Sequence, residues 1–242
     1  YFQESLEFGK KATCIIRRKG DLLSQMVLEV ELPALESGVS WINGIGHHLI
    51  KSIDLEIGGE LVDRQYGEYL DIYSELNMPA EKRDGYYSMV GKNKSYSKTT
   101  QEGTLKLYIP IRFWFCKDIS YALPLVAMQV SEVRVIIDAR PFSECWYSGT
   151  SMGTTPSSKT ITNSILYCDY IYLDSHERKK VAAAKEHNYL IEQVQIYDGN
   201  PVPANSSIAL VDFHFNHPVK ELIWVYQPDG VSTTNDWGNY SM

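Results

Sequence analysis

Short stretches in which apolar and polar residues strictly alternate recur along this chain, and they restrict it to sheet. Met26-Val-Leu-Glu-Val-Glu-Leu32 sets Met26, Leu28, Val30 and Leu32 on one face and Glu29 and Glu31 on the other. Ile53-Asp-Leu-Glu-Ile57 repeats the pattern, and residues 105–113 repeat it through Leu105, Leu107, Ile109, Ile111 and Phe113. A period of two marks a half-buried strand, because successive side chains leave a strand on opposite faces. Nearer the C-terminal end, Phe213 and Phe215 flank His214. Pro218, which has no N–H for a ladder, marks a strand start or an edge. Residues 222–226 form a continuous apolar run, as expected of a strand buried on both faces.

The elements between these strands follow from turn and cap chemistry. Residues 10–18 read as a first strand and Pro33 closes the strand at 26–32. Gly58-Gly59 is a two-residue hairpin signal, with Leu61-Val62 starting the return. Asp63 is the expected N-cap of a helix whose stripe is Tyr66, Tyr69, Leu70, Tyr73 and Leu76, stopped by Asn77 and Pro79. Residues 77–103 are polar and read as a long projecting loop. Residues 130–138 read as a strand and 143–163, rich in Ser, Thr and Gly, as a linker or long loop. After a strand at 166–173, Asp174-Ser-His-Glu177 forms a capping box ahead of a helix over 178–185. Further strands are expected at 189–197, 208–215 and 221–226, with a turn at 198–201. The rhythm of short strands, one inserted helix and more strands occurs twice, so two related β-sandwiches are expected: 1–142, then a connection at 143–164, then 165–242.

Composition narrows the function. The chain has 242 residues, 44% of them apolar and 17 of them Tyr, enough for a sizeable core and for half-buried aromatic surface. A net charge of −7 and a pI near 5.4 leave no broad footprint for nucleic acid. The one basic cluster, Lys10, Lys11, Arg17, Arg18 and Lys19, reads as a solvated strand end, with a local inward-facing basic edge as its other reading. Cys14, Cys116, Cys145 and Cys168 fit no zinc spacing and suggest a reducing compartment. The chain opens at Tyr1 without Met and stops after Trp237-Gly-Asn-Tyr-Ser-Met242, which reads as a fragment.

No residue pattern calls for catalysis. Gly149-Thr-Ser-Met-Gly153 matches G-x-S-x-G, but no helix follows to make the sharp strand-to-helix turn that this nucleophile needs. Gly44-Ile-Gly46 lacks the third glycine of a dinucleotide loop. His47 and His48 are expected on opposite faces of a strand, where they cannot share a metal. Asp54 and Glu56 read as a solvated strand face. His214 and His217 could approach each other near Asp212, so a metal-dependent jelly-roll enzyme is one alternative. Another is a carbohydrate-binding β-sandwich with Trp146-Tyr147 as an exposed platform. Asn93-Lys-Ser, Asn205-Ser-Ser and Asn239-Tyr-Ser are glycosylation sequons, of use only if the chain meets that machinery.

Seven runs, in order, resemble the major capsid proteins of nucleocytoplasmic large DNA viruses, the iridovirus, phycodnavirus and asfarvirus group. They are Ile45-Gly-His-His-Leu-Ile-Lys-Ser-Ile-Asp-Leu-Glu-Ile-Gly-Gly59, Tyr66-Gly-Glu-Tyr-Leu-Asp-Ile72, Leu107-Tyr-Ile-Pro-Ile-Arg-Phe-Trp-Phe-Cys116, Ala122-Leu-Pro-Leu125, Tyr170-Ile-Tyr-Leu-Asp-Ser-His-Glu-Arg178, Leu190-Ile-Glu-Gln193 and Phe215-Asn-His-Pro-Val-Lys-Glu-Leu-Ile-Trp224. The resemblance implies an all-β double jelly roll with short inserted helices, its second sandwich truncated. It implies a structural, non-enzymatic subunit without cofactor or metal that forms pseudo-hexagonal homotrimers tiling an icosahedral shell. The implied partners are neighbouring capsomers and minor capsid proteins, with an inner viral membrane near the basic N-terminal end and no direct nucleic-acid binding. The implied location is the virion capsid, assembled in the host cytoplasm, with loop 77–103 facing outward.

Overall fold

The computed structural model describes residues 2, 4–92, 104–147, 155–197, 210–227 and 230. Its core is a sandwich of two antiparallel sheets. One sheet has the order β1 (Lys11–Ile16), β7 (Val133–Ala139), β4 (Ile50–Ile57), β5 (Glu60–Tyr66). The other has β2 (Leu22–Leu32) between β6 (Leu105–Pro110) and β9 (Asn163–Ile171). A small ribbon pairs β3 (Ser40–Trp41) with β8 (Trp146–Tyr147).

The alternation read from the sequence is the packing. Met26, Leu28, Val30 and Leu32 of β2 are all at most 2% exposed and meet Ile53, Leu55, Val135 and Ile137 of the other sheet in one core. Gly58 and Gly59 have φ of 65° and 89°, the two left-handed residues that a tight β4–β5 hairpin demands. β6 stops at Pro110, short of the expected 113, because proline donates no ladder hydrogen bond. Phe113 and Phe115, on either side of Trp114, then turn inward and stack with ring centroids 5.8 Å apart.

Several elements differ from expectation, each for a local reason. β9 pairs along its length with β2, from Leu22↔Ile171 to Glu31↔Asn163, so this strand completes the sheet of the first sandwich. The expected cap Asp63 lies inside β5, whose pairing continues to Ser52↔Tyr66. Helix α2 (Gly67–Asn77) therefore starts three residues later, with Tyr66 as its cap. The stretch expected to loop out from residue 77 holds a second helix, α3 (Ala80–Val90). Pro79 both ends α2 and leads into α3, and Gly91 closes α3 with φ of 70°. Only Tyr86, Tyr87 and Val90 of α3 are buried, so its sequence reads as polar. His47 and His48 lie on a single-turn helix, α1 (Ile45–His48), rather than on a strand. Helix α4 (Ser175–Ala183) is capped as expected, Asp174 accepting from the amides of His176 and Glu177.

Among the described residues after α4 there is no regular strand, although 189–197, 210–215 and 221–226 were expected to form them. Leu222, Trp224, Val225 and Tyr226 are 44–69% exposed rather than buried on both faces. A strand exists only as half of a pair, and these residues have no described partner strand.

The sandwich has two distinct ends. Register puts Ile16, Val133 and Ile57 at one end, with the turn from Arg17 to Asp21 and the Gly58-Gly59 hairpin. Lys11, Ala139, α1 and the start of α2 lie at the other. A Cβ on Gly67 would stand 2.2 Å from the Ile50 carbonyl oxygen and 2.3 Å from that of His47, where backbone cannot yield. Gly67→Ala is expected to cost about 3 kcal/mol, lowering the melting temperature by roughly 10 °C. Gly85, in α3 with nothing within 4 Å, is the control. Gly85→Ala should raise the melting temperature slightly, since alanine is the better helix former by about 1 kcal/mol.

Candidate functional site

Where β5 hands over to α2, three helices meet the sheet across a buried polar cluster. His47 of α1 is 1% exposed, with Nδ1 3.2 Å from Asp71 Oδ1 and Nε2 2.8 Å from the Tyr86 hydroxyl. Lys92 donates to Asp71 at 2.8 Å and pairs with Glu75 at 2.6 Å. Tyr87 donates to Glu75 at 2.7 Å. The Arg112 guanidinium lies 4.6 Å from the centre of the Tyr73 ring and 5.9 Å from that of Tyr86. A His–Asp pair is the arrangement of a general base with its orienting acid. Here both ring nitrogens of His47 are occupied and the ring is shut off from solvent, so the cluster acts as a polar weld fixing α1, α2 and α3 to the sheet.

The protonation states follow from burial and partners. Burial pushes His47 below its ordinary range, more than Asp71 raises it. Burial works against ionised Asp71, yet His47 and Lys92 outweigh it and hold the carboxyl low. Lys92 is likewise penalised by burial but carried up by Asp71 and Glu75. His48, which meets the Glu144 carbonyl at 3.0 Å, is lowered to about 4 by burial and then by Arg140. All of these except Lys92 make acid unfavourable for this corner. The unfolded chain takes up protons that folded His47, His48 and Asp71 refuse, so stability falls as pH drops below about 6.5.

A second buried carboxyl behaves oppositely. Asp63 is 2% exposed and lines a shallow groove of about 360 Å³ between β5 and residues 193–196. Its Oδ2 lies 3.5 Å from Gln65 Nε2, while Oδ1 has no partner. Burial raises its pKa to about 6.

The segment beyond this groove is fastened by polar contacts. Gln193 Nε2 donates to the Val62 carbonyl at 2.6 Å, and the Tyr189 hydroxyl donates to that of Ala122 at 3.1 Å. Glu192 pairs with both Lys117 and Lys220, which hold its carboxyl down to about 2. Gln195 exchanges two hydrogen bonds with the Asn216 backbone. Ile191 packs on the main core, but much of the remaining apolar side chain points away. Leu190 and Leu210 are 85% and 90% exposed. Phe213 stacks on Phe215 at 5.4 Å and meets Tyr197 edge-on at 5.7 Å. With Trp224 and Tyr226, also exposed, this is a broad aromatic and aliphatic surface.

The residues singled out from the sequence fare differently. Asn93, Asn205, Asn239 and the Gly149–Gly153 run lie outside the described residues. His214 and His217 are both exposed, and among the described residues no three His, Cys, Asp or Glu side chains are grouped to hold a metal ion. Trp146 and Tyr147, the proposed sugar platform, are 7% and 8% exposed. They are strand β8, paired with β3, and cannot present their rings to a glycan. Asp54 is buried rather than solvated, gripped by Arg64 through two 2.6 Å hydrogen bonds. The sequence reading missed the polar weld. Its available signal was Asp71 and Glu75 four apart on a helix, a spacing that puts both on one face.

Comparisons with known proteins agree with this architecture. The family profile described as major capsid protein N-terminus matches residues 1–174, and that described as large eukaryotic DNA virus major capsid protein matches residues 177–242. The major capsid protein of Pyramimonas orientalis virus is 39% identical over 227 residues, covering 92% of this chain and 54% of the relative. That of Phaeocystis pouchetii virus is 33% identical over 265 residues, covering 94% and 50%. The chain thus spans about half the length of the curated relatives it matches. The crystal structure of PBCV-1 VP54 superposes with a TM-score of 0.68 at 29% identity, over 81% of this chain and 46% of that one. The Faustovirus major capsid protein, at 12% identity, shares the fold with a TM-score of 0.60 over 74% of this chain and 54% of its own.

Two substitutions test the electrostatics by denaturant unfolding. A raised carboxyl pKa weakens the folded state as pH rises from about 4 through 6, because the folded form holds the proton that the unfolded form has released. Asp63→Asn is therefore expected to be roughly 2 kcal/mol more stable than wild type near pH 7.5, with no gain near pH 4. Asp71→Ala leaves Lys92 and His47 without their shared acceptor and should cost about 3 kcal/mol at neutral pH.

Proposed function

Since the chain belongs to the major capsid protein family of large eukaryotic DNA viruses, with the all-β double jelly-roll fold of that class, we propose that it is a shell-building subunit. Three copies form a pseudo-hexagonal trimer, and trimers tile an icosahedral capsid assembled in the host cytoplasm. The work is geometric rather than catalytic. A rigid sandwich presents flanks to its neighbours, and closed symmetry repeats each modest contact many times. Neighbouring capsomers and minor capsid proteins are its partners, and nucleic acid is not contacted directly.

One observation carries this reading: a fully closed first core joined to a segment whose aromatic side chains remain open. Leu28, Val30, Ile53 and Leu107 are all at 0% exposure, whereas Trp224 is at 69% and Tyr226 at 66%. Apolar side chains open in this way pack against other protein, the remainder of a second jelly roll as well as neighbouring copies. The unit boundary falls in this reading between Asp174, the cap of α4, and Glu177, with the second jelly roll beginning there. In this reading the α2–α3 end faces outward, and Asn93, next in sequence to Lys92, is the sequon proposed to carry a glycan.

Light scattering of the purified full-length protein should give a mass three times that of one chain, and electron microscopy should reveal pseudo-hexagonal particles or tiles. A protein that stays monomeric at all concentrations and never forms such particles contradicts the proposal.

A further inference from the structure

Asp63 and Gln65 stand two apart on one face of β5, opposite Leu55 and Ile53 of the core. Both are 2% exposed. Gln65 Nε2 donates to the Arg112 carbonyl at 2.6 Å, which fixes the amide, since turned over it would set oxygen against oxygen. The same Nε2 lies 3.5 Å from Asp63 Oδ2. Two buried acceptors are left, Asp63 Oδ1 and Gln65 Oε1, and neither has a donor. A proton on the Asp63 carboxyl supplies a donor where there is none, whereas ionisation leaves a buried charge. In agreement, burial raises the pKa of Asp63 to about 6, against the pull of Gln65, the Arg64 and Val194 amides and Lys117.

This pair sits under the seam between the sandwich and the later segment. Asp63 lines the groove together with Tyr66, Val194, Gln195, Asn216 and His217. The fastenings around it are polar: Gln193 on the Val62 carbonyl, and Glu192 between Lys117 and Lys220. Ile191 supplies apolar contact with the core. The charged neighbours are committed elsewhere. Arg64 grips Asp54, Arg112 turns its guanidinium to Tyr73 and Tyr86, and Lys117 and Lys220 both pair with Glu192. Those two lysines hold Glu192 down to about 2, so it stays ionised through mild acid and carries no pH dependence there.

We propose that Asp63 is a proton-operated latch on this seam: with its proton it seals residues 189–196 against β5, and without it the seam opens to admit water. Local opening of this kind needs only a few contacts to give way. An open seam hydrates the carboxyl and returns it to the ordinary range near 4, whereas the closed seam holds it at about 6. Closure is strongest below about pH 4, weakens by up to roughly tenfold per pH unit above that, and levels off beyond about pH 6, on the order of a hundredfold weaker. The corner built from α1, α2 and α3 runs the other way, weakened by acid through His47, His48 and Asp71. Mild acid thus tightens the seam while it loosens that corner. The seam lies within a single chain, so the latch works with or without assembly.

Hydrogen–deuterium exchange of the full-length protein is the test, with protection at each pH taken relative to the unstructured rate at that pH. Protection in residues 189–196 should fall at least about tenfold between roughly pH 4.5 and 7.5, while residues 67–90 show no such loss. Asp63→Asn keeps the shape and brings a donor, so its segment should stay protected with no pH dependence. His217 is the groove's other candidate, because histidine ordinarily changes charge in this window. His217→Asn suits the left-handed φ of 66° and should leave the pH dependence intact. The proposal is overturned by a segment unprotected at every pH, by wild-type protection that does not change with pH, by a dependence that survives in Asp63→Asn, or by one that His217→Asn abolishes. An equal loss in residues 133–139 of β7 marks global unfolding and overturns it as well.

Discussion

The structure depends on β2 being held on both edges by strands recruited from far along the chain. β6 begins 73 residues after β2 ends and β9 ends 139 residues after it, yet they flank it through continuous antiparallel registers. Until both are docked, β2 exposes two rows of backbone donors and acceptors and a face of Met26, Leu28, Val30 and Leu32. An unpaired ladder edge and an uncovered apolar face are costly together. The four-stranded sheet closes on that face, so the polar weld, the groove and the two ends of the molecule are all set by the placement of β2.

The two regions of the chain solve the burial problem differently. The sandwich satisfies itself: inner faces meet inner faces, and the polar groups taken inside are paired, as Asp54 is with Arg64 and His47 with Asp71 and Tyr86. Exceptions include the Trp114 indole nitrogen and, on the edge strand β5, Asp63 and Gln65, each with one buried oxygen unpartnered. Inward-facing polar groups on an edge strand discourage further pairing there. That is useful in a molecule whose own later segment passes along the same edge at Val62 and Asp63.

How much of this was legible in the sequence depends on whether a feature is local. Alternation located β2, β4 and β6 because a half-buried strand writes its two faces into its residues, and Gly58-Gly59 located the hairpin because φ of 65° and 89° is a glycine conformation. The cap at Asp174 was legible for the same reason. What failed was tertiary. Helix α3 buries only three residues, so its sequence resembles loop. Asp63 looks like a cap until the pairing of β5 through Tyr66 overrules it. Trp146 and Tyr147 look like a surface platform until β3 covers them. Residues 222–226 have the composition of a central strand, but composition cannot supply the partner that makes a strand.

The joint between the sandwich and the later segment has a character of its own. Lys117, Glu192 and Lys220 form an exposed chain of ion pairs, and Gln193, Tyr189 and Gln195 add side-chain to backbone hydrogen bonds. Exposed ion pairs contribute at most about 1 kcal/mol each, and exposed hydrogen bonds exchange closely with water. Ile191 is the apolar anchor these contacts surround. Such a joint fixes direction and register with little energy. The large hydrophobic contribution remains in Phe213, Leu222, Trp224 and Tyr226, which are open. Buried against a matching surface, each would contribute on the order of 2 kcal/mol. Polar contacts thus aim the segment, while its apolar face is left available for whatever packs against it.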